Sequence, residues 1–275
     1  MSTELLQKFE SDGIVKITLP AEIQAFQREF ANDACAWLKR WTGCECASPS
    51  LAADMVRIAK ENRALVGRLY KVARRFAVTK QMACHPFLVD LAKTLMQAPL
   101  VSCCNFVAVR FDLPSESKYL LDAHQDFPYI QGSLNGITIW MPFNDADERV
   151  GSPSWIPGSH RWGVLRVREF SLEQAGGSGG RSFELVDFDR LAGHEFVRED
   201  VRAGEALAFH TLLVHRSEPN TSGVARMSAQ LRYDDVFERS SFERNYPEGL
   251  YLNNRLTDTY PEYVARERPA NGEVA

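Results

Sequence analysis

Three observations predict a mainly β fold, a sandwich or barrel carrying a helical layer on its N-terminal side. Residues 20–97 hold apolar side chains at three- and four-residue steps, the helical period. From Val101 the texture turns to short apolar runs rich in β-branched and aromatic residues, bounded by turn formers. His124, Asp126 and His215 lie too far apart for one local motif, so their shared chemistry requires a fold that joins distant segments. Helices first and short strands after suit a helix-covered sandwich or barrel. A chain of 275 residues is long enough for one such domain. Residues 1–275 are therefore read as a single domain, with a helical layer over roughly 20–97, a strand core over roughly 101–236 and a polar insertion over roughly 171–200.

In chain order, Ser11-Asp12-Gly13 reads as a turn before a short strand, Ile14–Ile17. Ile23, Phe26, Phe30, Ala34, Trp37, Leu38 and Trp41 then recur as one helix face against the core. Residues 42–50 form a loop. A second helical face carries Leu65, Leu69, Val72 and Phe76, with Arg68, Lys71, Arg74 and Arg75 opposite, a solvated basic face. His85-Pro86 opens a further helix, since proline is tolerated in a first turn, and His85 is read as a helix-start residue. Strands follow at 104–111 and 136–143, then at 206–214 and 226–236. Between the 136–143 and 206–214 strands sit a Pro157-Gly158 turn and the segment 171–200. That segment contains GGSGG at 176–180 and reads as a flexible surface excursion carrying a surface histidine, His194. The tail from Pro247 is expected to cover the sheet edge or the site mouth.

Composition excludes several classes. A net charge of −4 gives no electrostatic case for nucleic acid or an anionic membrane surface. No apolar run approaches the roughly 20 residues that span a bilayer. MSTELLQKFESDG lacks the basic and apolar regions of a signal peptide, so the reading is cytoplasmic. The six cysteines are accordingly read as free thiols, and Cys44-Glu45-Cys46 lacks the second cysteine pair a zinc site would use. Oligomeric state is not readable.

The chemistry gathers in LDAHQDFPY, residues 121–129. On an extended strand, positions i and i+2 share a face, so His124 and Asp126 converge. Two histidines and one carboxylate are the ligand set of non-haem iron(II) oxygenases, which leave positions open for co-substrate and oxygen. His215, in LLVHRS, is the best third ligand. His210 competes, but lies five residues away and would face the other side of one strand. Taken alone, His124 and Asp126 read better as a hydrogen-bonded pair in a loop; the downstream elements turn the reading to a metal site. Counting by twos from Arg226 places Ser228, Gln230 and Arg232 on one face, while Met227, Ala229 and Leu231 occupy the other. Such a polar row makes sense lining a polar pocket. Arg232 suits an anionic substrate group or an internal salt bridge. Gln125 and Tyr129, beside the ligands, are read as substrate contacts. His160, ending PGSH, is read as stabilising its turn.

These pieces resemble the phytanoyl-CoA dioxygenase family of iron(II)/2-oxoglutarate oxygenases. The resemblance rests on FESDGIV, HQDFPY, GITIWMPFNDA, WIPGSH, GEALAFHTLLVHRSEPN and Arg226 in ARMSAQLRY, in that order. It implies a double-stranded β-helix, the cupin-like jelly roll, with Fe(II) held by His124, Asp126 and His215. It implies 2-oxoglutarate as co-substrate with O2. The far carboxylate would be held by Arg226 with Ser217, and Arg110 and Trp140 would lie beside the co-substrate. Asp126 favours hydroxylation, because related iron halogenases carry a small residue in its place. The implied activity is hydroxylation of a C–H bond in a small molecule, with release of succinate and CO2; an anionic group on that molecule is suggested by Arg232 and not by the resemblance. The alternatives are a cupin-like binding protein or a redox-neutral metalloenzyme on the same scaffold.

Overall fold

The computed structural model describes residues 3–43, 45–46, 50–117, 120–171, 181–249 and 254–265. Helix α1 (Thr3–Asp12) leads into β1 (Ile14–Thr18), and four helices follow: α2 (Ala21–Thr42), α3 (Leu51–Ala73), α4 (Ala77–Ala83) and α5 (Pro86–Met96). The α5 start is the one the sequence indicates. The His85 imidazole accepts the Phe87 N–H at 3.2 Å, and Pro86 takes the first turn where no donor is needed. Helix α3 begins earlier than the apolar pattern suggests and is kinked at Asn62. Trp41 departs from the expected core face; it lies in the last turn of α2 and is 64% exposed.

Strands β2 (Val101–Cys103), β3 (Ala108–Asp112), β4 (Gly136–Pro142), β9 (Glu205–His210) and β11 (Arg226–Asp235) join β1 in a six-stranded sheet. Its order is β1-β9-β4-β11-β2, and β3 also pairs with β11. Within the described residues a smaller sheet contains β10 (His215–Arg216), β5 (Ser154–Trp155) and β8 (Val197–Arg198). A ribbon of β6 (Val167–Ser171) and β7 (Arg181–Leu185) stands apart. The described strands form facing sheets and not a closed barrel.

Every side chain of β4 is buried, because each sheet face is covered. Ile137, Ile139 and Met141 face the helices with Val109, Met227, Ala229 and Leu231. Phe30 of α2 lies over this face and stacks on Phe143 with ring centroids 4.4 Å apart. Full burial of each large aliphatic or aromatic side chain contributes about 1.5–3 kcal/mol, so this layer anchors the sheet. The opposite faces of β3, β4, β9 and β11 turn toward the small sheet, and the cavity described below lies between.

Two expectations need correction. Residues 181–200 are not structureless: β7 alternates, burying Phe183 and Leu185, and β8 extends the small sheet. The glycine-rich neighbourhood hid that alternation; GGSGG itself lies outside the described residues, as does Cys44. The 206–214 strand ends at His210, where Leu213 N–H bonds back to the His210 carbonyl and closes a turn. His194 is exposed and lies against Trp162. The tail packs over the site's flank, with Tyr260 buried against Phe127 at 4.9 Å. No described helix is long and apolar enough to cross a membrane.

Candidate metal centre

The two histidines meet because their backbones pair. His124 N–H bonds to the His215 carbonyl at 2.9 Å and His215 N–H to the His124 carbonyl at 3.0 Å. Residues directly opposed in an antiparallel pair send their side chains to the same face. The imidazole centroids are accordingly 4.3 Å apart. This bridge closes the long sequence gap between them.

Asp126 arrives differently from the sequence reading. The chain leaves extended geometry at this residue, which caps the short helix α6 (Phe127–Ile130). Pro128 sits in the first turn of α6, and the Asp126 carbonyl accepts from Tyr129 and Ile130. The carboxylate still converges on the histidines: Asp126 Oδ1 is 3.7 Å from His124 Nε2 and 3.9 Å from His215 Nε2. One donor atom from each of the three residues lies within 4.8 Å of the others.

Protonation follows from the hydrogen bonds. His124 Nδ1 lies 2.7 Å from the Asp122 carbonyl, and His215 Nδ1 lies 3.0 Å from the Leu213 carbonyl. A carbonyl only accepts, so both Nδ1 atoms carry hydrogen, leaving a lone pair on each Nε2 in the neutral ring. Burial, reinforced by the neighbouring His124, pushes the His215 pKa down to about 4, so that imidazole is neutral at physiological pH. Burial opposes ionisation of Asp126, but the Arg232 guanidinium and the two imidazoles more than offset it and hold the carboxyl well below its usual range. Two imidazole lone pairs and one carboxylate oxygen fit a divalent transition-metal cation better than a thiolate-seeking one.

The other oxygen, Asp126 Oδ2, is taken. Thr138 donates to it at 2.6 Å and Arg232 Nε at 3.4 Å.

The cavity beside this trio is lined by Arg110, Asp112, Trp140, Ser217, Arg226 and Gln230, among others. Arg226 and Asp112 are direct cross-strand partners in the β3–β11 register. Arg226 Nε and Nη2 donate to Asp112 Oδ2 at 3.2 and 3.0 Å. Arg226 Nη1 donates to the Glu218 carbonyl at 3.0 Å and also to the Gly151 carbonyl. Arg110 Nη2 takes the other Asp112 oxygen at 2.7 Å. Burial raises the cost of that carboxylate's charge, but the two guanidiniums prevail and lower its pKa. Gly151 has φ +88°, and a Cβ there would meet the Pro219 and Glu218 carbonyls and Arg226. Only glycine allows this approach.

The structure thus brings His124, Asp126 and His215 together and sets Arg226, Arg110, Ser217 and Trp140 around one adjoining cavity. Gln125 is corrected: it is fully buried, its amide donating to the Gly163 and Leu212 carbonyls and accepting from Leu165 N–H. It ties the ligand loop to its neighbours and has no polar atom left for a substrate. Arg232 forms the internal salt bridge, with Asp126, and also donates to Gln230 Oε1 at 2.7 Å. Tyr129 packs its ring edge-on to His124 at 5.6 Å, while its hydroxyl lies 3.5 Å from Ser182 Oγ on the ribbon. His210 turns toward Phe9 and His160, away from the trio. His160 Nδ1 is buried without a hydrogen-bond partner, so the turn-stabilising bond expected of it is not made by that atom.

Sequence reasoning missed Asp112 and Thr138. Both had a signal: Asp112 is two residues from Arg110, and Thr138 two from Trp140, so each shares its partner's strand face.

A family model described as phytanoyl-CoA dioxygenase (PhyH) matches residues 14–228. The chain is 29% identical over 114 residues to the phytanoyl-CoA dioxygenase domain-containing protein 1 homolog of Dictyostelium discoideum, covering 41% of this chain and 40% of that protein. It is 34% identical over 113 residues to phytanoyl-CoA dioxygenase domain-containing protein 1 of Danio rerio, covering 38% and 35%. The matched stretches therefore span well under half of either relative. Among solved structures, the epimerase SnoN in complex with Fe3+, alpha ketoglutarate and nogalamycin RO superposes with TM-score 0.56 at 20% identity, covering 85% of this chain and 83% of SnoN. EctD from S. alaskensis, with 2-oxoglutarate and 5-hydroxyectoine, gives TM-score 0.56 at 17% identity, covering 87% and 78%. At these identities the likeness speaks for the fold, the expected jelly-roll class with flanking helices.

Proposed function

The chain belongs to the phytanoyl-CoA dioxygenase family, and from that premise we propose that it is an Fe(II)- and 2-oxoglutarate-dependent dioxygenase acting on a small, anionic molecule. The balanced reaction converts a substrate C–H, O2 and 2-oxoglutarate into C–OH, succinate and CO2. The observation that carries the reading is the convergence of one ligand atom each from His124, His215 and Asp126, within 4.8 Å of one another, on a cavity that the buried Arg226 guanidinium also lines. A binding module has no need of that combination.

Iron(II) bound by His124, Asp126 and His215 would supply oxygen activation coupled to decarboxylation of the co-substrate. The chain's own part is binding and orientation. Arg226 presents a planar, permanently charged fork to the distal carboxylate, with Ser217 beside it. Arg110 and Trp140 form the walls along the co-substrate. In this structure the cavity is about 40 Å³, room for a few waters only. Admitting a five-carbon dicarboxylate requires the Arg110–Asp112–Arg226 bridge to part.

Charge favours an anionic substrate. At and beside the cavity, the guanidiniums of Arg110, Arg216, Arg226 and Arg232 face the carboxylates of Asp112, Asp126 and Glu218. A divalent cation and a doubly charged co-substrate cancel each other, which leaves one positive charge. Arg216, its side chain 43% exposed and its Nε paired with Glu218 at 2.8 Å, is the most open of these guanidiniums to an arriving anion.

The test is succinate release from 2-oxoglutarate under air with iron(II) and ascorbate. The reading requires release above the no-enzyme background in the wild type and its loss in His124→Ala. No succinate with any of a broad panel of small anions would sink it.

A further inference from the structure

Strands β4 and β11 pair so that Thr138 and Arg232 are directly opposite each other. Both side chains reach one atom, Asp126 Oδ2: the threonine hydroxyl at 2.6 Å and the guanidinium Nε at 3.4 Å. Asp126 Oδ1 receives neither, and it is the oxygen nearest both histidine Nε2 atoms. All three side chains are buried, Thr138 at 1%, Asp126 at 4% and Arg232 at 6% exposure. Water is thus poorly placed to replace either donor.

We propose that Thr138 and Arg232 are positioning residues that clamp Asp126 Oδ2, so that the carboxylate binds the metal through Oδ1 alone. A carboxylate free to turn would offer both oxygens to a cation. The second oxygen would then occupy a coordination position that co-substrate or oxygen needs. The clamp keeps that position open and pre-orients Oδ1 toward the two imidazoles. Partners of this kind around metal ligands typically change metal affinity by about 10–100-fold when removed. Neither residue lines the cavity; each acts through Asp126.

Thr138 gives the cleaner test, because valine keeps its shape and loses only the hydroxyl. The inference rests on the metal reading, so the probe is Mn2+ alone, titrated into the wild type, Thr138→Val and Thr138→Ser and followed by the loss of the free-ion electron paramagnetic resonance signal. We expect Thr138→Val to raise the dissociation constant about 10-fold or more. Thr138→Ser, which keeps the hydroxyl, should return it to within about threefold of wild type. With Co2+ in place of Mn2+, the d–d absorption of Thr138→Val should shift from that of both wild type and Thr138→Ser. If the valine variant does not fold, Thr138→Ala removes the same hydroxyl without added bulk. Wild-type Mn2+ affinity in Thr138→Val, or equal losses in the valine and serine variants, would overturn the clamp and leave the metal reading standing. No Mn2+ binding by the wild type would instead overturn the metal reading itself.

Discussion

On one face of β11, Met227, Ala229, Leu231 and Tyr233 are closed against the helices; the other face carries Arg226, Ser228, Gln230 and Arg232, of which Arg226 and Gln230 line the cavity. Three residues of each row are almost equally buried. Their neighbours differ in kind. Met227, Ala229 and Leu231 of the helix-facing row are satisfied by contact alone, and its one polar atom, the Tyr233 hydroxyl, donates to the Ala83 carbonyl at 2.7 Å. The opposite row is polar, and its polar atoms need partners. Arg226 finds Asp112 and two carbonyls; Arg232 finds Asp126 and Gln230. Two atoms of the row, Ser228 Oγ and Arg232 Nη1, are buried without a hydrogen-bond partner. Burying polar groups this way costs stability, which points to a face shaped by binding and not by folding.

Arg232→Leu should have the largest effect and blur the division between the faces. It leaves the Asp126 charge buried without its guanidinium, and breaking such a pair from one side costs about 3–5 kcal/mol. Chemical denaturation of the metal-free protein would show it. A loss under about 1 kcal/mol would mean that the pair carries little of the fold. Leu231→Ala, next along the strand but on the other face, should cost about 2–5 kcal/mol while leaving Mn2+ affinity unchanged. A change in metal affinity as large as the change in stability would erase the distinction.

Arg226→Leu should weaken 2-oxoglutarate binding about 100-fold, by loss of a charged, forked contact. Asp112 keeps Arg110 as a partner in that variant, but the Gly151 and Glu218 carbonyls lose their donor, so the melting temperature should also fall. Calorimetric titration of the metal-loaded protein with 2-oxoglutarate is the check, and unchanged affinity would remove Arg226 from the co-substrate site.

The smallest effect is at Asp234, on the same strand face beyond Arg232 but at a separate pocket. Desolvation by burial raises its pKa from 3.8 to about 6. Between those values the folded protein holds a proton that the unfolded chain has released, so stability falls as pH rises through that window. Asp234→Asn should therefore stabilise the protein above pH 6, by roughly 1–2 kcal/mol given its partial exposure, and change nothing below about pH 4. Equal stabilisation at both extremes would mean that burial of the charge is not the cause.

What could be read in advance follows the same division. The alternation of Arg226 to Arg232 was visible because a strand's period is two and the row is long. The His-x-Asp and His-x-Ser contexts marked the metal trio. Asp126 itself was placed for the wrong reason, since Pro128 starts a helix where a strand was expected. Arg232 was legible as a buried cation but not as the partner of Asp126, because only the β4–β11 register and the ligand loop together set that distance. Asp112 and Gly151 were overlooked for a related reason. Their importance lies in a contact with Arg226, and cross-strand and loop contacts are not local in sequence. Gln125 reads like a substrate contact beside two ligands, yet the loop carrying it turns inward and uses its amide to hold three backbone groups.

The central claim is one cavity with a cation at one end and a dicarboxylate gripped at the other. Anaerobic addition of iron(II) and 2-oxoglutarate tests it directly, because chelation of the ion by the keto acid gives a visible charge-transfer absorption. The wild type should develop that band with one-to-one stoichiometry, His124→Ala should not, and Arg226→Leu should need about 100-fold more 2-oxoglutarate to reach it. A wild-type protein that shows no band, or a band equally strong in His124→Ala, would contradict the account.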